Sequence, residues 1–120
     1  MIGSYKGEND VYDLSFDFAV RIVKLIRHLR ENKNEYVMSK QLLRCGTSIG
    51  ANVHEAEFAQ SRPDFKSKMN IALKEANETG YWLKLLKYTD YLTEKEYDSI
   101  NTDCGRLIAV LINIVKNTKI

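Results

Sequence analysis

The stretch SRPDFKSKMNIALKEANETGYWLKLLKYTDY, residues 61–91, decides the fold. Phe65, Met69, Ala72, Ala76, Gly80, Leu83 and Leu86 recur at steps of three and four, which places them on one face of an α-helix. The start of the stretch has helix-opening chemistry. Ser61 can cap, Pro63 is tolerated in a first turn that needs no amide from it, and Asp64 suits the positive end of the helix dipole. The spacing predicts a helix over 63–91, roughly 45 Å long at 1.5 Å per residue.

The same reading extends in both directions. Downstream, Thr93-Glu94-Lys95-Glu96 has the form of a capping box. Tyr97, Ile100, Cys104, Leu107, Leu111 and Ile114 then continue the helical period, predicting a helix over 94–117. Upstream, Met38, Leu42, Cys45, Ile49, Val53, Ala56 and Ala59 predict a helix over 35–60, with Asn34 as its N-cap. Gly46 and Gly50 interrupt that stripe. Each glycine costs about 1 kcal/mol in a helix interior, so the pair marks either the close approach of another helix or a kink. Before the polar loop at 31–35, Val11, Leu14, Phe18, Ile22, Leu25 and Leu29 predict a first helix over 11–32. Residues 1–10 are expected to be a flexible N-terminus. No segment alternates as a strand would. Four long amphipathic segments with short links predict an all-α, antiparallel up-down four-helix bundle, a single domain over residues 1–120.

The composition agrees with this. Of 120 residues, 44% are hydrophobic, 28% are charged and only one is proline, a globular profile poor in helix breakers. The net charge of +2 does not demand a nucleic-acid partner, although a local basic patch is compatible with it. Cys45 and Cys104 fall on apolar stripes and read as buried free thiols. No apolar run reaches membrane-spanning length and the N-terminus lacks a signal-peptide core, so the expected location is cytoplasmic with no membrane partner.

The third segment carries more apolar surface than one stripe needs. Tyr81, Leu85, Tyr88 and Leu92 form a second row, with Trp82 between the rows. In the fourth segment Val110 and Ile112 lie about 100° to either side of Leu111. Such surplus marks an interface. Tyr81, Leu85, Tyr88, Val110 and Ile112 are therefore the oligomer-interface candidates, with a second copy of the chain as the expected partner.

The search for reaction chemistry returns little. A carboxylate-bridged di-metal bundle needs Glu-x-x-His on two helices, but Leu25 and Ala51 stand three residues before His28 and His54. No zinc-type Cys/His cluster, phosphate-binding glycine loop or nucleophile elbow is present. No catalytic residue, metal or cofactor is expected, and the chain reads as non-enzymatic. The one acid–base candidate is Glu55 with Glu75 or Glu78. The competing reading makes these carboxylates register-fixing ion-pair partners of Lys74 or Arg44. Arg21, Lys24, Arg27, Lys40 and Arg44 are the nucleic-acid candidates. Repeated around an oligomer they would contact RNA or DNA phosphates weakly and without sequence specificity. A structural module that binds another protein and no nucleic acid is the alternative.

Three motifs add a resemblance. Ser48-Ile49 with Asn52-Val53 and Glu55-Ala56, then Ser61 with Asp64-Phe65, then Ala72, Glu75 and Glu78-Thr79 together resemble the four-helix-bundle proteins encoded in 23S rRNA intervening sequences. The family pattern is Ser-Ile-x-x-Asn-Ile-x-Glu-Gly, Ser-x-x-Asp-Phe and Ala-x-x-Glu-x-x-Glu-Thr. Val53 stands for the isoleucine and Ala56 for the glycine. The likeness runs from about Leu14 to Val115. It implies a ring, with a homopentamer as the expected state, and kinship to accessory proteins of diversity-generating retroelements that bind nucleic acid and a reverse transcriptase. Asn52, Glu55, Glu75 and Glu78 match motif positions, and no catalytic role accompanies them. The ribosomal-protein name sometimes given to the family implies gene location, not ribosome membership.

Overall fold

A polar side chain takes up free backbone amides at the start of each helix. The computed structural model describes residues 10–120. In α1 (Val11–Lys33) the Asp10 carboxylate accepts from the Tyr12 amide at 2.8 Å. In α3 (Arg62–Tyr88) Ser61 accepts from the Asp64 amide. In α4 (Glu94–Asn117) Thr93 and Glu96 form the expected reciprocal capping box. For α2 (Val37–Glu57) the N-cap residue Tyr36 gives no side-chain cap. The buried Glu35 carboxylate does the job instead, receiving the amides of Val37, Met38 and Ser39 at 3.2, 3.2 and 2.7 Å.

Asn34 is thus not the N-cap of α2. It closes α1 in the left-handed region at φ 53°, a conformation asparagine tolerates better than most residues. The observed helices also stop short of two expected ends. α2 ends at Glu57, not near 60. α3 ends at Tyr88, not near 91, because Asp90 turns left-handed at φ 67° and the Tyr91 amide bonds back to the Leu86 carbonyl. The expected flexible N-terminus falls on residues outside the described ones, except Asp10, which is buried at its cap.

The helices form an antiparallel four-helix bundle of 44 × 21 × 21 Å in which neighbours in sequence pack side by side and α4 returns to α1. α1 and α3 sit diagonally, with no close backbone approach. Among the described residues no strand is present. The core runs the length of the bundle through Phe18, Ile22, Leu29, Leu42, Ile49, Met69, Leu83, Leu86, Leu107 and Leu111. At a few positions the buried face is rotated from the expected stripe. Ser15 and Ile26 are buried where Leu14 and Leu25 were expected, and Thr79 is buried where Gly80 was. Gly46 and Gly50 explain the first shift, and they answer the choice between kink and contact in favour of contact. A β-carbon on Gly46 would lie 2.8 Å from Ile22 Cγ1, and one on Gly50 would lie 3.2 Å from the Ser15 carbonyl oxygen. α1 lies so close to α2 that a small residue, Ser15, must face Gly50, and its hydroxyl is satisfied by donating to the Tyr12 carbonyl.

Candidate functional site

Packing α2 against α3 builds a polar group of four side chains across the seam. Arg44 sends one guanidinium nitrogen to Glu75 at 3.0 Å and the other to Glu78 at 2.5 Å. Trp82, one turn beyond Glu78, donates its indole N–H to the same carboxylate at 3.1 Å. The Arg44 hydrogen bond, aided by Trp82, holds the Glu78 carboxyl below its ordinary range. Beneath this surface group the Thr79 hydroxyl lies 3.3 Å from the Cys45 thiol and donates to the Glu75 carbonyl at 2.8 Å. Burial raises the thiol pKa of Cys45 and pushes that of Cys104 up to about 11. Both cysteines are free and buried, so neither is poised as a thiolate nucleophile.

This arrangement favours the register-fixing reading of the carboxylates. Arg44 sits across from Glu75 and Glu78, whereas Glu55 lies three turns further along α2, roughly 16 Å along the axis. Glu55 is exposed and is not brought to Glu75 or Glu78 as an acid–base pair. Asn52 turns its amide back to the Ser48 carbonyl at 2.9 Å. Among the described residues no group of three or more His, Cys, Asp or Glu side chains could hold a metal ion.

The basic candidates are divided by the fold. Arg21 reaches α4, where it bonds the Asp103 carboxylate at 2.7 Å and the Ser99 hydroxyl and carbonyl at 3.0 and 3.2 Å. Arg44 is occupied as described. Lys24, Arg27 and Lys40 are exposed. Lys24 and Arg21 line a groove of about 450 Å³ between α1 and α4, together with His28, Lys95 and Glu96. Lys95 was not a sequence candidate for this patch. It lies seventy-odd positions from Lys24 in the chain, and only the return of α4 to α1 brings them together.

The apolar candidates are also sorted. Tyr81 and Tyr88 are 59% and 71% exposed, and Leu85 between them is half-buried. Leu92, expected in the same row, turns inward and joins the core. Val110 is half-buried against the core, while Ile112 is exposed. Sequence reading missed a second apolar face. Phe16 on α1 is 68% exposed and Phe58 after α2 is 63% exposed. Phe16 borders a groove of about 340 Å³ between α1 and α2, lined also by Tyr12, Ala19, Thr47, Gly50 and His54. The signal was present, since Phe16 is an apolar residue off the buried stripe, but only the α1–α2 contact shows that its neighbours form a groove.

An all-α four-helix bundle whose seams carry surface ion pairs defines the class. The chain belongs to the 23S rRNA-intervening sequence protein family, whose model matches residues 7–113. It is similar to a solved structure from Bacteroides thetaiotaomicron VPI-5482, described as a protein of unknown function from the S23 ribosomal protein family. The two share 59% identity over 89% of this chain and 96% of that one, with a TM-score of 0.88. No functionally curated protein matches the chain. No helix is long and apolar enough to cross a membrane among the described residues.

Proposed function

We propose that this chain is a non-enzymatic scaffold or accessory protein that works as a homo-oligomer, with the pentamer that the family likeness implies as the expected state. The observation that carries this reading is the outward row Tyr81, Leu85 and Tyr88 on α3, two of whose members are more than half exposed. Large aromatic side chains in a row gain from burial against a partner and are enriched at the centres of interfaces. Sedimentation at micromolar concentration tests it. A multiple of the 13.9 kDa chain mass is expected, and a single-chain mass would remove the reading.

A second reading is favoured by the α1–α4 groove. Lys24 and Lys95 line it with Arg21, beside the single carboxylate of Glu96, and the excess positive charge suits phosphate oxygens without any base-reading geometry. In this reading the oligomer also binds RNA or DNA weakly and without sequence preference. Binding should weaken steeply with salt. Titration of structured RNA, single strands and duplex at low salt tests it, and no binding in any of the three would leave the protein-scaffold reading alone.

A further inference from the structure

We infer that copies of this chain join head to tail, with the α1–α2 groove around Phe16 of one copy receiving the Tyr81–Tyr88 row of the next. The inference rests on the self-association proposed above and assigns the two surfaces that meet.

An interface between identical chains is either isologous, one patch meeting itself, or heterologous, two different patches meeting. This molecule carries two separate apolar patches. One is the α1–α2 groove with Phe16 and, beyond it, Phe58. The other is the outward row of α3. α3 contributes nothing to the groove, and α1 and α3 are diagonal, with no close backbone approach. The outward side of α3 and the α1–α2 groove therefore face away from each other, and one neighbouring copy cannot cover both by a two-fold contact.

With the ion-paired Glu78 and Glu94 near the tyrosine row already taken up by Arg44 and Lys87, the remaining charges beside the two patches differ in sign. Glu57 lines the groove with His54, and the exposed Asp13 and Asp17 stand beside Phe16 on α1. Lys84 lies between Tyr81 and Tyr88 on α3, its ammonium 6.0 Å from the Tyr88 ring, and Lys87 lies 5.5 Å from the same ring. Lys87 is also shared with Glu94 at 3.8 Å, so Lys84 is the freer of the two. An acidic rim meeting a basic rim steers the two patches together, whereas either patch meeting itself would oppose like charges. The shapes also suit. The groove has Gly50 and Ala19 in its lining beside Phe16 and Val53, and small residues leave room for an aromatic ring from outside. Heterologous contacts close into rings when the rotation per step closes, so this pairing is compatible with a ring of any order.

Two single variants and their mixture test the inference. Phe16→Asp removes the receiving patch, and Tyr88→Asp removes the inserted one. Both side chains are exposed, so both variants should keep the helical circular dichroism of the parent. Each alone should sediment as a single chain, with self-association weakened at least about thirtyfold, as for loss of an interface hot spot. Mixed in equal amounts they should form a dimer of the two variants, because one intact groove and one intact tyrosine row remain between them. An isologous interface gives no such rescue. A mixture that stays monomeric, or a Phe16→Asp variant as oligomeric as the parent, overturns the head-to-tail assignment while leaving self-association standing. A parent chain that is itself monomeric overturns self-association and the assignment with it.

Discussion

α1 meets its two neighbours in opposite ways. Against α2 it is pressed until backbone meets side chain, with Gly46 under Ile22 and Gly50 under the Ser15 carbonyl. Against α4 it stands further off. That seam is bridged by Arg21 to Ser99 and Asp103 and leaves a groove of about 450 Å³. The difference follows from side-chain size. Two glycines one turn apart remove the side chains that would hold α2 away, so dispersion and burial act at short range. The facing surface of α4 has no such gap, and a long, flexible, charged side chain spans it instead. One seam is set by shape, the other by a polar clamp that solvent can compete with.

The sharpest way to break this contrast is to put a side chain into the tight seam. Gly46→Val should destabilise the fold by about 2–3 kcal/mol, because the new atoms land on the branched, rotamer-restricted Ile22 and overpack the core. Urea unfolding measures it, and an unchanged midpoint would show that α1 and α2 can separate freely.

Alanine at other glycines sharpens the point. A β-carbon on Gly80 meets nothing within 4 Å, so Gly80→Ala should stabilise by about 0.5–1 kcal/mol through helix propensity alone. At Gly50 the same gain is offset by contact with a fixed carbonyl oxygen, and Gly50→Ala should be neutral to about 1 kcal/mol destabilising. Equal behaviour of the two variants in thermal unfolding would mean that the glycine contact is not what sets the seam.

On the open seam the effects should be smaller. Arg21 and Asp103 are each more than a third exposed, so Arg21→Gln should cost no more than about 0.5–1 kcal/mol, with much of the loss masked by added salt. A larger, salt-independent loss would make the clamp a structural equal of the glycine contact.

The smallest effect concerns Glu78 at the α2–α3 seam. Its native pKa is lowered, chiefly by Arg44, so the unfolded chain binds its proton first as pH falls. The stabilisation is full above the ordinary carboxylate value of 4.5 and is lost as pH falls through the lowered native one. Unfolding curves of Glu78→Gln should therefore depend less on pH below that value than those of the parent. Parallel curves would remove Glu78 from the acid response.

Much of the fold was legible because helical period and capping are local. Thr93 with Glu96, and Ser61 with Asp64, name helix starts by chemistry confined to four residues, and the structure keeps both. Asn34 was misread for the same local reason. Asparagine serves both as an N-cap and as a left-handed closing residue, and the buried Glu35 carboxylate took the capping role. Of the site, the pairing of Arg44 with Glu75 and Glu78 was among the readings open in the sequence, since antiparallel neighbours joined by a short turn must align those positions. The division of the basic set was not, because Arg21 finds Asp103 only across the seam that closes the bundle.

By itself, then, the sequence determined four helices, their order and their shared apolar side, since each rests on interactions within about a turn of chain. Only tertiary structure decided which side of each stripe is innermost, whether Gly46 and Gly50 bend a helix or admit a neighbour, which cations are paired off, and where Phe16 and the tyrosine row end up. Those outcomes depend on the separation between helix axes. Side-chain volumes from several distant segments set that distance jointly, and no single segment carries it.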